Sequence, residues 1–282
     1  MRPSLFAALF TTFLAVAPAA AQTTVIKPSD MATSVADVVA DPSKWFYFND
    51  ENNTIDNTLG SFVVGPGMPP LGTESVEISV FGTQRRNLAT YRFSGVTLAS
   101  LTQLGYSTYT PTAGNPGATT RAAYLQFNVD FNGSDTWQRR LVFLPMDNGA
   151  VVQDQWQAWD AIANGNAKWR YSGPTWPGTL ISGSTPRTWS NILASYPGVR
   201  VRVTDSWLGI RVGEPYPNGY TTNLDAFVIG TNAGTAVFDF DFSNAPASKS
   251  ECMQGGWQTL TRADGSSFPN QGQCIQYVNT GK

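Results

Sequence analysis

The residues best suited to chemistry lie in one stretch, Arg121 to Pro145, which reads RAAYLQFNVDFNGSDTWQRRLVFLP. Leu125, Phe127, Val129 and Phe131 alternate with Tyr124, Gln126, Asn128 and Asp130. A period of two sends apolar side chains to one face of a strand and polar ones to the other. Asn132-Gly133 marks a hairpin turn. Trp137, Arg139 and Arg140 then return opposite the polar residues, and Arg200 and Arg202 join them if their strand lies in the same sheet. Planar amides, a carboxylate, guanidinium groups and aromatic rings on one face can bond pairs of hydroxyls and stack on C–H groups. This face is therefore a candidate glycan platform. The same residues would equally make a solvated sheet face with cross-strand polar pairs. Trp169, Tyr171 and Trp176, in a loop-rich stretch, are expected as exposed stacking platforms.

Two acidic sets carry other chemistries. Calcium takes six to eight hard oxygens, several of them carboxylate. Asp50, Glu51 and Asp56 would meet Asp239 and Asp241 if the first and last strands of a sandwich were neighbours. Structural calcium is the one cofactor these residues suggest, although no EF-hand loop is present. Asp160, Asp205, Glu214 and Asp225 form the second set, near aromatic residues and Gly-rich turns. A glycosidase would need two of them about 5–10 Å apart across a cleft. No Glu-x-Asp-x-x-Glu strand occurs. The chain has no His at all. Ser-His-Asp and Cys-His catalysis in their usual form, His-ligated metal sites and a His-dependent polysaccharide lyase are thereby excluded.

These residues need a frame. The chain opens MRPSLFAALFTTFLAVAPAAAQ: one Arg, an apolar run, and small residues before Gln22. That pattern predicts a secretory signal peptide over residues 1–21, cut near Ala21. The run is shorter than the roughly 20 residues of a spanning helix, and Pro18 interrupts it. No later segment is long and apolar enough to cross a bilayer. The expectation is an exported protein, extracellular or periplasmic, that does not span the membrane. A net charge of −2 gives no reason to expect a nucleic-acid partner.

Residues 22–44 read as an N-terminal segment with a short helix, where Met31, Val35, Val38 and Val39 take helical spacing and Asp41-Pro42 ends it. From Trp45 onward come strand signals: WFYFN, Thr58 to Val64, Ser75 to Gly82, Asn87 to Phe93, Gly105 to Tyr109 and the central hairpin. Trp156 to Ala161, Lys168 to Tyr171, Val199 to Thr204, Trp207 to Val212, Leu224 to Ile229 and Ala236 to Phe242 follow. One further short helix is expected in Thr188 to Ser195. Many short strands with Gly- and Pro-rich turns predict an all-β, two-sheet β-sandwich of jelly-roll type over residues 45–243. Residues 244–282 read as a linker and tail that holds the only cysteines, Cys252 and Cys274. An even pair in an exported chain predicts a disulfide. Closing such a loop is worth roughly 3 kcal/mol in the chain-entropy model, to a tail too small to hold itself otherwise.

The order YLQFNVDF, NGSDTWQRRLVFLP, WQAWDA, PRTWSNILASYPGVRVRV and NLDAFVIG…TAVFDFDF resembles secreted bacterial jelly-roll proteins akin to carbohydrate-binding modules and concanavalin-like sandwiches. The tail CMQGGWQ…FPNQGQCIQYV is similar to a C-terminal element common on bacterial secreted proteins. The resemblance implies fold and compartment and carries no catalytic motif. The Asp-rich turn of such proteins is weaker here, with Asn132 and Ser134 at acidic or Gly positions. The expectation is a secreted, non-catalytic β-sandwich that binds carbohydrate or cell-surface polysaccharide. Alternatives from other classes are a carboxylate-dependent glycoside hydrolase or lyase and a structural envelope or matrix protein.

Overall fold

The computed structural model of the protein describes residues 21–115, 121–213, 216–241, 245–246, 248–258, 260–262 and 266–281. The expected signal peptide, apart from Ala21, lies outside them, as do Glu214 and Phe242. The strands, in chain order, are β1 (Gln22–Ile26), β2 (Trp45–Asn49), β3 (Thr54–Ile55), β4 (Ser61–Val64), β5 (Glu74–Gly82) and β6 (Arg85–Thr90). Then come β7 (Leu101–Tyr109), β8 (Tyr124–Asp130), β9 (Arg140–Phe143), β10 (Trp156–Asp160) and β11 (Lys168–Tyr171). The last are β12 (Arg187–Thr188), β13 (Arg200–Val201), β14 (Leu208–Gly213), β15 (Tyr216–Thr231) and β16 (Gly234–Phe240). Helices are short: α1 (Val35–Ala40), α2 (Pro145–Asn148), α3 (Trp189–Ser195) and α4 (Gln271–Thr280). No helix among the described residues is long and apolar enough to cross a membrane.

The strands form the two sheets of a β-sandwich. Sheet A is built on β15. One of its edges pairs with β7, and the other takes β5 and then β16 end to end. The changeover falls at Asp225, where the register with β7 shifts and Ala226 takes a φ of 52°. β1 runs parallel to β16, so the segment before Trp45 contributes a strand of its own. Sheet B has the order β12-β11-β9-β8-β14-β6-β2-β3, with β13 beside β8. The sequence hairpin is β8 and β9, paired from Leu125↔Phe143 to Asn128↔Arg140. It lies in the interior of the sheet, because β14 covers the other edge of β8.

One apolar core fills the space between the sheets. Leu125, Phe127 and Val129 of β8 face Tyr106, Leu224, Phe227 and Phe238 of sheet A. Trp45 meets Phe227, Phe238 and Phe240 edge-on at ring distances of 5.3, 5.5 and 5.1 Å, a favoured aromatic geometry. Trp169 stands among Phe127, Phe143 and Trp189 at 5.4–5.6 Å.

The β8–β9 connection is wider than a two-residue turn, and Asp130 organises it. Its carboxylate accepts from the backbone N–H groups of Asn132, Gly133 and Asp135 and from Gln138 Nε2, and it pairs with Arg200 at 2.9 Å. Burial alone would raise its pKa, but Arg200 and the three amides outweigh that and hold it below 3.8. A depressed carboxylate stabilises the fold above the unfolded-state pKa, and the stabilisation is lost as pH falls through the folded value. Asp130→Asn should therefore cost about 1.5–3 kcal/mol at neutral pH, the range for hydrogen bonds to a charged group, since Arg200 stays partly in water. Urea melts should show the gap to the unaltered protein narrowing below about pH 4. A gap that stays constant into acid would show that the charge contributes nothing.

Cys252 and Cys274 are bonded as expected, with Cα atoms 5.7 Å apart. They centre a small cluster with Phe268, distinct from the sandwich core, under α4. α4 is capped by Asn270, whose side chain accepts from Gln273 N, and Gly281 ends it in the left-handed region. Reduction should abolish the far-ultraviolet helical signal of the tail while leaving the near-ultraviolet spectrum of the sandwich aromatics intact. Simultaneous loss of both would show that the tail and sandwich are one cooperative unit.

Candidate functional site

The outer face of sheet B holds the constellation that the sequence pointed to, but in a different form. By register, Gln126 and Asn128 of β8 lie beside Val142 and Arg140 of β9. On the other side, Tyr124 lies beside Arg211 of β14, which in turn pairs with Asn87 of β6. Arg140 is the hub. Its Nε donates to Asn128 Oδ1 at 3.1 Å, and its Nη1 reaches Asp50 Oδ2 at 3.3 Å. Its guanidinium lies 4.6 Å from the Trp207 ring and 5.8 Å from that of Trp137. Asp50 Oδ2 also takes Arg211 Nη1 at 2.7 Å, so one carboxylate is shared between two guanidinium groups. Below them Gln126 Nε2 donates to Asn87 Oδ1 and Asn87 Nδ2 to the Phe48 carbonyl.

Asp205 closes the network. It has a φ of 65° on the turn before β14, a conformation Asp tolerates better than most residues. It accepts from Asn128 Nδ2 at 2.8 Å and pairs with Arg202 Nη1 at 3.4 Å. Arg202 in turn donates to the Asp135 carbonyl, and the Asp135 carboxylate takes the N–H groups of Val203 and Thr204. The Thr204 hydroxyl, then those N–H groups and the charge of Arg202, hold Asp135 down at about 2 against the opposing effect of desolvation. Asp205 goes the other way: its packed surroundings raise it, against the pull of Arg202 and Arg140, although 42% of the side chain stays exposed. Tyr91, bonded to Asp205, is pushed up to about 12, chiefly by its own burial. Trp137, half exposed at 50%, is the open ring beside this network.

The polar side of β8 is not an open platform. Tyr124, Gln126, Asn128 and Asp130 are 8, 2, 2 and 0% exposed. Arg140, Arg211 and Trp207 lie over the strand, and α1 with Phe46 and Tyr91 covers the β2 side of the same face. Trp169 and Trp176 are also fully buried, with their indole N–H groups spent on the carbonyls of Ala161 and Thr185. Tyr171 is half-buried, packed against Phe131 and Trp176, so these rings are packing rather than stacking platforms. Arg200 serves Asp130 and the Gly133 carbonyl, while Arg139 is exposed at a φ of 73°. What sequence reasoning missed is the covering layer: Asp50, Tyr91, Trp207 and Arg211. Arg211, alone among the apolar residues of LGIRVG, was its one visible signal.

The expected calcium set does not assemble. Asp50 is held by its arginines, Glu51 by Arg85 at 3.0 Å, and Asp56 by the N–H and hydroxyl of Thr58, all on sheet B. Asp239 and Asp241 belong to the β16 end of sheet A, because β16 neighbours β1 and not β2. Among the described residues, no three acidic or cysteine side chains stand ready to hold a metal. The acids of the hydrolase alternative are likewise divided. Asp205 is on the outer face of sheet B, whereas Asp160 and Asp225 are on that of sheet A. There a cleft of about 510 Å³ is lined by Gln103, Ser107, Trp159 and Asp160. Asp160 Oδ1 accepts the N–H groups of Ile162 and Ala163, and Asp225 accepts those of Leu71 and Phe240. Burial, with the charge of Asp239 adding, pushes Asp225 up to about 7, and burial pushes Asp239 up to about 6.

No family model matches the chain, and no curated protein matches it. Among solved structures it is similar to TmCBM61, determined in complex with beta-1,4-galactotriose. The identity is 10% and the TM-score 0.31, over 71% of this chain and 94% of that one, a likeness too slight to transfer a ligand or a residue.

Proposed function

We propose that the protein is exported and binds polysaccharide through the patch formed by Trp137, Arg140 and Asp205 on the outer face of sheet B. The observation that carries this reading is Trp137, a half-exposed ring beside a guanidinium whose other contacts are already made. A sugar laid on that ring would place its C–H face on the indole and its hydroxyls near the exposed part of Asp205 and the edge of Arg140. Because the network exists before any ligand arrives, binding would cost little ordering of these side chains. Export is supported by the N-terminal sequence pattern and by a disulfide, which suits an oxidising compartment.

Polysaccharide pull-down and glycan arrays, run with and without calcium, should give at least one positive class. Trp137→Ala should weaken that binding tenfold or more, about 1.4 kcal/mol, with Tm unchanged because the ring is half in water. Arrays that stay blank for the unaltered protein, or binding that survives Trp137→Ala intact, would overturn the reading. Arg140→Ala should behave differently and lower stability as well, by leaving Asp50 and Asn128 without one partner each.

A further inference from the structure

The outer face of sheet A carries a cleft that the carbohydrate reading does not use. Leu104 and Tyr106 of β7 belong to the core, so the strand period turns Gln103 and Ser107 outward. On β10 Trp159 belongs to the core, which sends Ala158 and Asp160 to the same outer face. These residues line a cleft of about 510 Å³, inside the range of small-molecule sites, about 300–1,000 Å³. Val228 of β15 and Val237 of β16 extend its apolar lining, together with Leu71 and Ile162. Leu71 is held in place by its N–H, which donates to Asp225 Oδ2 at 3.0 Å.

Three observations make this cleft more than a crease between strands. Ser107 is only 4% exposed, yet among the described residues its hydroxyl has no hydrogen-bond partner. Burying a hydroxyl without a partner is costly, and a ligand in the cleft would supply one. Asp160 Oδ1 accepts the N–H groups of Ile162 and Ala163 at 2.9 and 2.7 Å, while Oδ2 has no such partner. The turn that those bonds hold is strained: Ala163, Asn164 and Gly165 take φ values of 46°, 52° and 87° in succession. Ala226, which also lines the cleft, has a φ of 52°. Ala163 and Ala226 are the only alanines at positive φ among the described residues, a conformation alanine avoids. Strain of this kind gathers at ligand clamps.

The lining also selects by charge. Asp160 is its one charged residue, and no Lys or Arg belongs to it. Asp160 lies opposite Gly105 and Ala158 opposite Ser107, so Asp160 and Ser107 are diagonal neighbours across the β10–β7 pair. That diagonal, about 7–8 Å, is one that a single donor group can bridge. An anion placed there would meet the carboxylate with no countercharge.

We propose that the cleft binds a small aliphatic ammonium ion. Its head donates to Asp160 Oδ2 and to the Ser107 hydroxyl, and its carbon chain lies along Ala158, Val228 and Val237.

The test uses the full chain and three probes with the same five-carbon body: pentylamine, 1-pentanol and pentanoate. At pH 7 the amine is charged, as a lysine side chain is. Titrations followed by saturation-transfer NMR should give pentylamine a Kd of about 1 mM, the order expected of so few atoms. Pentanol should bind about tenfold more weakly for want of the charge-assisted bond, and pentanoate should not bind. Asp160→Asn keeps an oxygen for the N–H groups of Ile162 and Ala163 but removes the charge, so pentylamine should fall to the level of pentanol. Ala158→Leu, at an exposed strand position, should fill the cleft and abolish binding of amine and alcohol alike, with Tm unchanged. Pentylamine that fails to bind, binds no tighter than pentanol or pentanoate, or keeps its advantage in Asp160→Asn overturns the proposal. Binding that survives Ala158→Leu does so too. Trp137→Ala should leave all three affinities unchanged, so failure here leaves the polysaccharide reading standing, and the reverse holds.

Discussion

The outer face of sheet B rests on one carboxylate shared by two arginines. Asp50 holds Arg140 at 3.3 Å and Arg211 at 2.7 Å from strands on either side of β8. With those two guanidinium groups fixed, Asn128, Gln126 and Asn87 beneath them can be buried with partners, and Trp207 gains a cation over its ring. Such pairs add little net stability when compared with apolar residues of equal size, but removing one member strands the others. The arrangement is therefore best understood as specifying geometry. It holds Arg140 flat and leaves Trp137 beside it as the part open to solvent.

That layer also explains where the sequence was legible and where it was not. Alternation in YLQFNVDF correctly separates a core side from a polar side, since Leu125, Phe127 and Val129 do fill the sandwich. What alternation cannot show is whether the polar side meets water, because that depends on side chains arriving from Asp50, Arg140 and Arg211, between 10 and about 90 positions away in sequence. Some local features were readable from local chemistry: α1 and α3 fall inside their predicted spans and the cysteines pair, whereas α2 and α4 were not expected. Long-range edges were not. β1 joins β16 in parallel, and this single pairing moves Asp239 and Asp241 away from Asp50, Glu51 and Asp56. Trp169 and Trp176 misled because a Gly- and Pro-rich stretch reads as open loop. Here it folds over rings that the core needs.

The two outer faces meet the same difficulty, buried charge, in different ways. Sheet B supplies its own countercharge on Arg140, Arg200, Arg202 and Arg211, each matched to an aspartate. Sheet A brings Asp225 and Asp239 together near the junction where β5 gives way to β16 along β15. Asp225 partly repairs the junction by capping the free N–H groups of Leu71 and Phe240. A carboxylate that bonds two backbone amides is well used. Asp239, which has no such partner at Oδ1, is not explained by the fold alone.

The self-sufficiency of the sheet B network has a consequence for recognition. Arg140 has spent Nε on Asn128 and Nη1 on Asp50, and Asp205 has spent Oδ2 on Asn128 and Arg202. These atoms of Arg140 and Asp205 are thus satisfied before a ligand arrives, and displacing their partners would cost as much as it gained, while Trp207 Nε1 and Arg202 Nε stay buried without a hydrogen bond. What remains is ring area on Trp137, the exposed side of Asp205, and the fixed shape between them. Recognition built on such a surface rests on stacking and fit more than on new charged bonds. Its affinity is then limited by one ring's worth of contact, and tighter attachment to a polymer would need a second, linked site.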